Sequence, residues 1–488
     1  MRVSAFNDRG ALRWKFTLLL LLFAAGQVCA QITWKRSYGG LGGDRAGSVC
    51  YTASDGALVC GSTGSFGSGG DMYVLCLDAL GGINWSIALG GAGVETGWDI
   101  ALLPDGGSIA VGSSNSFGDG SYDGYVIRLD VAGQVLWQRT YGSDAWDFLY
   151  SVDVLDDGFL LAGSTYGTTD GSSDMWLIRT DLDGDTLWTR TYGGDADDEA
   201  RSVIALGTDG CVLGGTLRTG GSEADAVMIK YDATGQEEWS AELGGADEDV
   251  GFSVEAVESG GFVIAGYTRS FGPVRQMFMA KVDATGGEEW ERNISGAGDD
   301  WEARSVRERV DGTFAVAGYT EEYGAGGRDF SLLFVNAQGD FISGPTYGGG
   351  EDDEAWSVDF TADDGYLIAG STKSYGPGSE AMFVIRSDGD TLNGAVVTSL
   401  DPVGIEPVAA AEHVRIYPQP VAPHGSMFIA GSMDPLLSAR ITSVQGALTT
   451  SLVVEGTTLV LPGLVPGIYV LELASRSGAI FRGPLIVQ

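Results

Sequence analysis

Runs of four to eight residues in which apolar and polar side chains alternate, each bounded by Asp, Gly or Ser, fill the chain from about residue 34 to residue 388. Four kinds recur in fixed order. The first reads "LYSVDVLDDG" or "ARSVIALGTDG", the second "FLLAGST", "FVIAGYT" or "YLIAGST", the third "DGYVIRLD" or "DMWLIRTD", and the fourth "VLWQRTYG" or "TLWTRTYGG". Their length, their content of Val, Ile, Tyr and Trp, and their turn residues predict antiparallel β-strands. "DG" between the first and second kinds, and "DATG" or "DLDG" between the third and fourth, predict tight hairpins, because Gly accepts a positive φ and Asp hydrogen-bonds to its own turn.

The four-strand unit repeats. Trp34, Trp85, Trp137, Trp188, Trp239 and Trp290 stand 51 or 52 residues apart, and the framework continues through Ser343 and Asn393, where the Trp is lost. Seven copies of the first three strands stand against eight of the Trp strand. Sheets repeated radially form a β-propeller, so the pattern predicts an all-β fold: a seven-bladed β-propeller of four-stranded antiparallel blades over residues 31–397. The surplus strand "ITWKRSYGG" is expected to complete the last blade, whose other strands come from residues 354–388, and so to close the ring by backbone pairing. An eight-bladed ring or an open solenoid is the competing architecture. The repeated Trp side chains are read as packing between blades. "AKVDATGGEEW" (280–290) resembles the tryptophan-docking repeat of quinoprotein-type propellers, with the Asp one place off; that motif is structural and implies no quinone cofactor.

Both ends differ from the middle. Residues 1–30 place Arg2, Arg9, Arg13 and Lys15 before the apolar run "FTLLLLLFAA" and then the small residues of "GQVCA". This order predicts a secretory signal peptide, and no later run is long and apolar enough to cross a membrane, so the mature chain is expected to be exported without a transmembrane segment. Residues 398–413 form a Pro- and Ala-rich linker, and short strand-like segments in 414–488 predict a small β-sandwich. The layout "VRIYPQP … ARITSVQGAL … TLVLPGLVPGIYVLEL … PLIVQ" resembles the type A sorting domain of the type IX secretion system of Gram-negative bacteria. The matching positions are Tyr417, Pro418 and Pro420, then Gly446, then Leu464, Gly467 and Tyr469; Gln419 stands where the family usually has Asn. The resemblance implies the type IX secretion machinery as a partner through residues 414–488, and release or attachment at the cell surface.

Charge narrows the partners. The net charge is −38, and essentially all of it lies between the two ends. Such a field repels phosphate backbones, which argues against nucleic acid. Cys50, Cys60, Cys76 and Cys211 are too few for a disulfide framework, although Cys50 and Cys60 flank one turn and could form a single bridge. Both histidines, His413 and His424, lie outside the repeats, so no His-dependent triad belongs to the propeller.

The remaining chemistry is carboxylate and aromatic. "TRTYGGDADDEARS" (189–202) sets Asp195, Asp197, Asp198 and Glu199 after a Gly-Gly pair. Aligned on the repeat, Asp198 matches Asp44, Glu95, Asp147, Asp249 and Asp353, with Asp299 and Asp300 offered by the sixth copy. A carboxylate present in every copy is a blade motif, not a catalytic residue. One reading has it accept backbone N–H groups at the strand entry. The other is calcium, with Asp195, Asp197, Asp198, Glu199, Asp299, Asp300, Asp352 and Asp353 as ligands, although no loop has the EF-hand layout. At the same end of the ring lie longer Ser/Gly-rich loops closed by Asp71, Asp123, Asp174, Asp225 and Asp329. They carry Phe66, Phe117, Tyr166, Phe271, Tyr323 and Tyr375, read either as packing residues or as stacking platforms for sugar rings.

Three functions fit: a non-catalytic binding or adhesion scaffold for a glycan or surface protein, a secreted carboxylate-dependent glycoside hydrolase or polysaccharide lyase, and an acidic surface coat. No residue stands out as catalytic.

Overall fold

The computed structural model describes residues 34–168, 171–218, 224–294 and 300–387, and seven strands between 415 and 487. The signal segment, the linker, His413 and His424, Pro418, Pro420, Gly446, Leu464 and Asp299 lie outside the described residues. No described helix is long and apolar enough to cross a membrane.

Seven four-stranded antiparallel sheets make the ring. Blade one, for example, consists of Asp44–Tyr51, Ala57–Thr63, Asp71–Leu77 and Ile83–Leu89. In each blade the first strand is innermost and the fourth outermost. Blade seven takes Asp353–Phe360, Tyr366–Thr372 and Ala381–Ser387 from the end of the repeat array and its outer strand, Trp34–Tyr38, from the beginning. Trp34 pairs with Arg386, and Ser37 with Phe383, so backbone hydrogen bonds close the ring as the surplus strand predicts. Arg386 adds a second clasp at this seam through Asp55 of blade one, at 2.7 Å.

Apolar residues of neighbouring blades bury against each other. Tyr38, Val59, Leu75, Leu367 and Val384 fill the seam between blades seven and one. Outside this core, each repeated Trp lies over the next blade's outer turn. A β-carbon on Gly133 would come within 2.7 Å of the Trp85 ring, and one on Gly286 within 2.8 Å of Trp239. Those glycines also hold φ near +76° and +84°, so the backbone conformation and the indole both require glycine there. Trp34 Nε1 further donates to Ala79 O at 2.9 Å. In blade six the outer strand is split into Phe341–Ser343 and Thr346–Tyr347, and Ser343 stands where the Trp would be.

Cys50, Cys60, Cys76 and Cys211 are free thiols. The bridge considered for Cys50 and Cys60 does not form. Cys50 stands opposite Leu58 and Cys60 opposite Ser48, two steps out of register.

The C-terminal strands pair in the order Arg415–Tyr417, Ser426–Ala430, Thr458–Val460, Thr449–Glu455, Leu436–Ser443, Gly467–Ser475, Ile480–Val487. Thr449–Glu455 pairs on one side through Thr449–Leu452 and on the other through Val453–Glu455. A strand that changes partner midway is how a corner of a β-sandwich is built. Tyr417 ends the first of these strands; Gly467 and Tyr469 lie in the sixth, Tyr469 opposite Ser443 and Leu485.

Candidate functional site

The repeat carboxylate is a strand-entry clamp. Asp44, Glu95, Asp147, Asp198, Asp249 and Asp353 are buried, and each accepts the N–H of the residue four places earlier. Distances run from 2.6 Å (Gly245 to Asp249) to 2.9 Å (Gly194 to Asp198). The spare oxygen or the same oxygen also takes the neighbouring loop, as in Ser270 Oγ to Asp249 at 2.8 Å and Arg218 N to Asp198 at 2.6 Å. This arrangement satisfies groups that would otherwise be buried without partners.

The residue just before the clamp has its own task. Asp197 accepts the N–H of Ser173, Asp300 that of Arg275, and Asp352 that of Arg328, at 3.0, 3.0 and 3.2 Å. Asp300 is therefore the counterpart of Asp352 and not of Asp353. The sixth copy of the clamp is Trp301, whose N–H donates to Arg275 O as that of Asp353 donates to Arg328 O. The sequence alignment of blade six is corrected accordingly: its extra residue moves the acids one place and leaves an indole in the slot. Glu199 pairs with Arg201, while Asp195 lies in the turn before Asp197. Among the described residues no three of His, Cys, Asp and Glu converge as metal ligands.

The long loops are tied down as their closing acids suggest: Asp71 accepts Ser68 N at 2.9 Å and Asp329 accepts Ala325 N at 3.1 Å. Their aromatics divide into two groups. Phe66 packs on Tyr73, Phe117 on Tyr125 and Tyr375 on Phe383, with centroids 5.2, 5.5 and 5.4 Å apart. Tyr166 meets Trp146 edge-on, whereas Phe271 and Tyr323 are exposed.

A more concentrated site lies at the central channel. Every inner strand carries a β-bulge at the same place, three residues after the clamp, so one residue per blade is left out of the ladder. Bulges re-aim side chains, and here the seven residues are Gly47, Trp98, Tyr150, Arg201, Phe252, Arg304 and Trp356, which line the channel cavity toward its loop-bearing end. Gly47 has no room for a side chain, since a β-carbon would come within 2.8 Å of Trp98 O. Its absence lets Trp356 of blade seven reach Trp98 of blade two, at 5.8 Å.

The Arg304 guanidinium stacks 3.6 Å over Trp356 and Arg201 stacks 4.1 Å over Tyr150, each also paired with a glutamate two residues earlier, Glu302 and Glu199. From the channel the rings continue outward over blades two and three. Trp98, Tyr150, Phe148, Tyr122, Trp146 and Tyr166 follow one another with centroids 5.5 to 6.4 Å apart. All are at least partly exposed.

Below the aromatic ring the channel is pinned. Ser151, Ser202, Ser253, Ser305 and Ser357 each accept a backbone N–H from the next blade at 3.1 to 3.3 Å. Asp99 replaces this serine in blade two, taking Ser48 Oγ at 2.7 Å and Val152 N at 3.0 Å. One layer deeper, Asp153 accepts Ala205 N and Asp359 accepts Tyr51 N, both at 2.7 Å, while Glu255 holds Arg307 at 2.9 Å. Burial pushes the carboxyls of Asp153 and Glu255 up from their ordinary range. Glu255 in turn raises the Arg307 guanidinium, keeping it charged. Each of these acids is committed to a neighbouring blade.

Sequence reasoning missed the bulge residues. Their one signal was a position that varies from Gly to Trp, Tyr, Phe and Arg inside an otherwise constant frame, just ahead of the inner-strand Ser or Asp.

No protein-family model matches the chain, and no curated protein does. Solved structures similar to it include Drosophila Semaphorin 2a, at 8% identity and a TM-score of 0.45 over 94% of this chain and 98% of that one. The Neurospora crassa Pan2 WD40 domain matches at 10% identity and 0.43 over 70% and 89%. Puromycin hydrolase matches at 16% and 0.47 over 80% of this chain and 61% of its own. The seven-bladed propeller stands on the strand pairing itself.

Proposed function

We propose that this chain is an exported, non-catalytic binding scaffold that holds a glycan on the loop-bearing face of the propeller. The observation that carries the reading is the ring of bulge residues, with its continuation from Trp98 to Tyr166. Contiguous exposed aromatic surface marks an interaction site, and flat rings suit the apolar faces of sugars. Arg201 and Arg304, oriented by stacking and ion pairing, supply hydrogen-bond donors beside those faces. The channel acids support a scaffold over a glycosidase, because Asp99, Asp153, Glu255 and Asp359 each have a structural partner.

The order of basic, apolar and small residues in 1–30 supports export. The sorting-domain motifs, including Tyr417, Pro418, Pro420, Gly467 and Tyr469, support delivery by type IX secretion, with surface localisation as the outcome. Calcium has no role in this reading.

Binding of neutral and uronic-acid oligosaccharides to the mature chain, compared with Trp98→Ala and Trp356→Ala, tests it. The expected result is a loss of about tenfold or more for each variant, in line with the worth of one stacked ring. Equal binding by both variants, or turnover of the sugars, would reject the scaffold reading.

A further inference from the structure

Blade six departs from the repeat at two facing positions. Trp301 occupies the slot where the other six blades place a carboxylate. Ser331, opposite Gly318 in the third strand, occupies the place held by Tyr73, Tyr125, Trp176, Val227, Phe278 and Phe383, each likewise opposite a glycine. Replacing an aromatic side chain with serine opens the joint between blades five and six. A groove of about 660 Å³ lies there, walled by Ile294, Trp301, Ser331 and Leu333.

The lining does not resemble a packing defect. A void left by lost apolar volume is lined by apolar atoms and stays dry. Here Trp301 is 6% exposed and Ser331 0%, yet among the described residues neither Trp301 Nε1 nor Ser331 Oγ has a hydrogen-bond partner. Buried polar groups without partners are costly, so two of them facing one groove indicate that something else satisfies them. At the rim Tyr323 is 53% exposed and stands edge-on to Trp301 at 5.6 Å, and Phe341 is 55% exposed. Asp340 lies beside them, paired with Arg292 at 3.4 Å. The groove thus has an indole donor and a hydroxyl buried at its base, and a carboxylate and exposed ring faces at its rim.

We propose that this groove is a second binding site, separate from the channel mouth, for a single pyranose residue. A pyranose presents both donors and acceptors around its edge and C–H groups on its faces, which matches this mixture. An apolar side chain would leave the buried indole N–H unpaired. The groove volume is in the range of small-molecule sites.

The test uses the mature full chain carrying Trp98→Ala and Trp356→Ala, which weakens the channel mouth, and the Ser331 and Trp301 variants made in that background separate the groove from whatever binding the mouth retains. The methyl glycosides of glucose, galactose and mannose are titrated by calorimetry and tryptophan fluorescence at millimolar concentration. The expected result is saturable binding of at least one glycoside. Ser331→Phe, which installs the residue found in blades five and seven, weakens that binding tenfold or more while the melting temperature holds or rises. Trp301→Phe weakens it with the ring retained, and Ser331→Ala gives the same readout with minimal change in volume. The proposal is overturned if no glycoside binds, if affinity is unchanged in folded Ser331→Phe, or if N-acetyl-tyrosinamide binds in place of the sugars.

Discussion

Pairs of buried carboxylates recur at the blade joints, and replacing one member should stabilise the protein. A β-carbon built on Gly348 would lie 1.7 Å from Asp329 Oδ1 and 2.8 Å from Asp353 Oδ2, so these oxygens face each other within the sum of those distances. Gly90, Gly142 and Gly193 stand in the same way between Asp71 and Glu95, Asp123 and Asp147, and Asp174 and Asp198. Asp329 is 1% exposed, its Oδ2 accepts Ala325 N, and its Oδ1 has no hydrogen-bond partner among the described residues. Burial first, and then the charge of Asp353, push its carboxyl above the usual range. Two unit charges about 4 Å apart at an effective dielectric near 20 repel by about 4 kcal/mol.

Asn at position 329 can keep the bond from Ala325 and turn its amide toward Asp353, removing the repulsion and adding a charge-assisted hydrogen bond of about 1.5–3 kcal/mol. After allowance for relaxation, Asp329→Asn should gain about 1–3 kcal/mol at pH 8.

The sign of the pH dependence separates this account from a generic effect. A carboxyl raised in the folded state keeps its full contribution below the unfolded value, near 3.9, and loses it as pH rises through the folded value. The advantage of Asp329→Asn should therefore be absent near pH 3.5 and grow toward pH 8. Denaturant unfolding at both pH values measures it. A variant less stable than wild type at pH 8, or a gain of the same size at both, would refute the reasoning. Asp123 and Asp198 are raised by burial as well, so their Asn variants should show the same direction.

Other expectations concern the joints and the seam. Gly286→Ala should cost about 2–4 kcal/mol, from the positive φ and from collision with the Trp239 ring, seen as a lowered denaturation midpoint. A chain beginning at residue 44 should lose thermal stability and associate through the bare edge of Ala381–Ser387, and a peptide covering residues 31–43 should suppress that association. Burial leaves Cys60 and Cys211 shielded, the Cys211 thiol being pushed up to about 12. Maleimide should label Cys76 first in native protein and reach Cys60 and Cys211 only on unfolding.

The ring was legible in the sequence because the features that build a blade are local and recur: the Asp–Gly turns, the alternating strands and the Trp above the next turn. Even the closure could be read, since eight Trp strands against seven of the others leave one unassigned. Blade six misled the alignment because its extra residue sits beside two aspartates, and only the backbone bond from Trp301 to Arg275 fixes the register. The channel mouth was less legible for the opposite reason. A site made of the one residue that changes from blade to blade leaves no repeat to find, and a bulge is set by pairing across strands. Aromatics that do repeat, such as Phe66, Phe117 and Tyr375, were easier to notice, and they pack against their own blades.

The outer strand of blade seven is the earliest part of the ring to be synthesised and the last to gain its partner. Until residues 381–387 exist, Trp34–Tyr38 has nowhere to dock, so a chain cut short anywhere in the array cannot pass for a finished molecule. Closure thereby acts as a check on length: only a full-size product hides its sticky borders, and fragments advertise themselves to proteases.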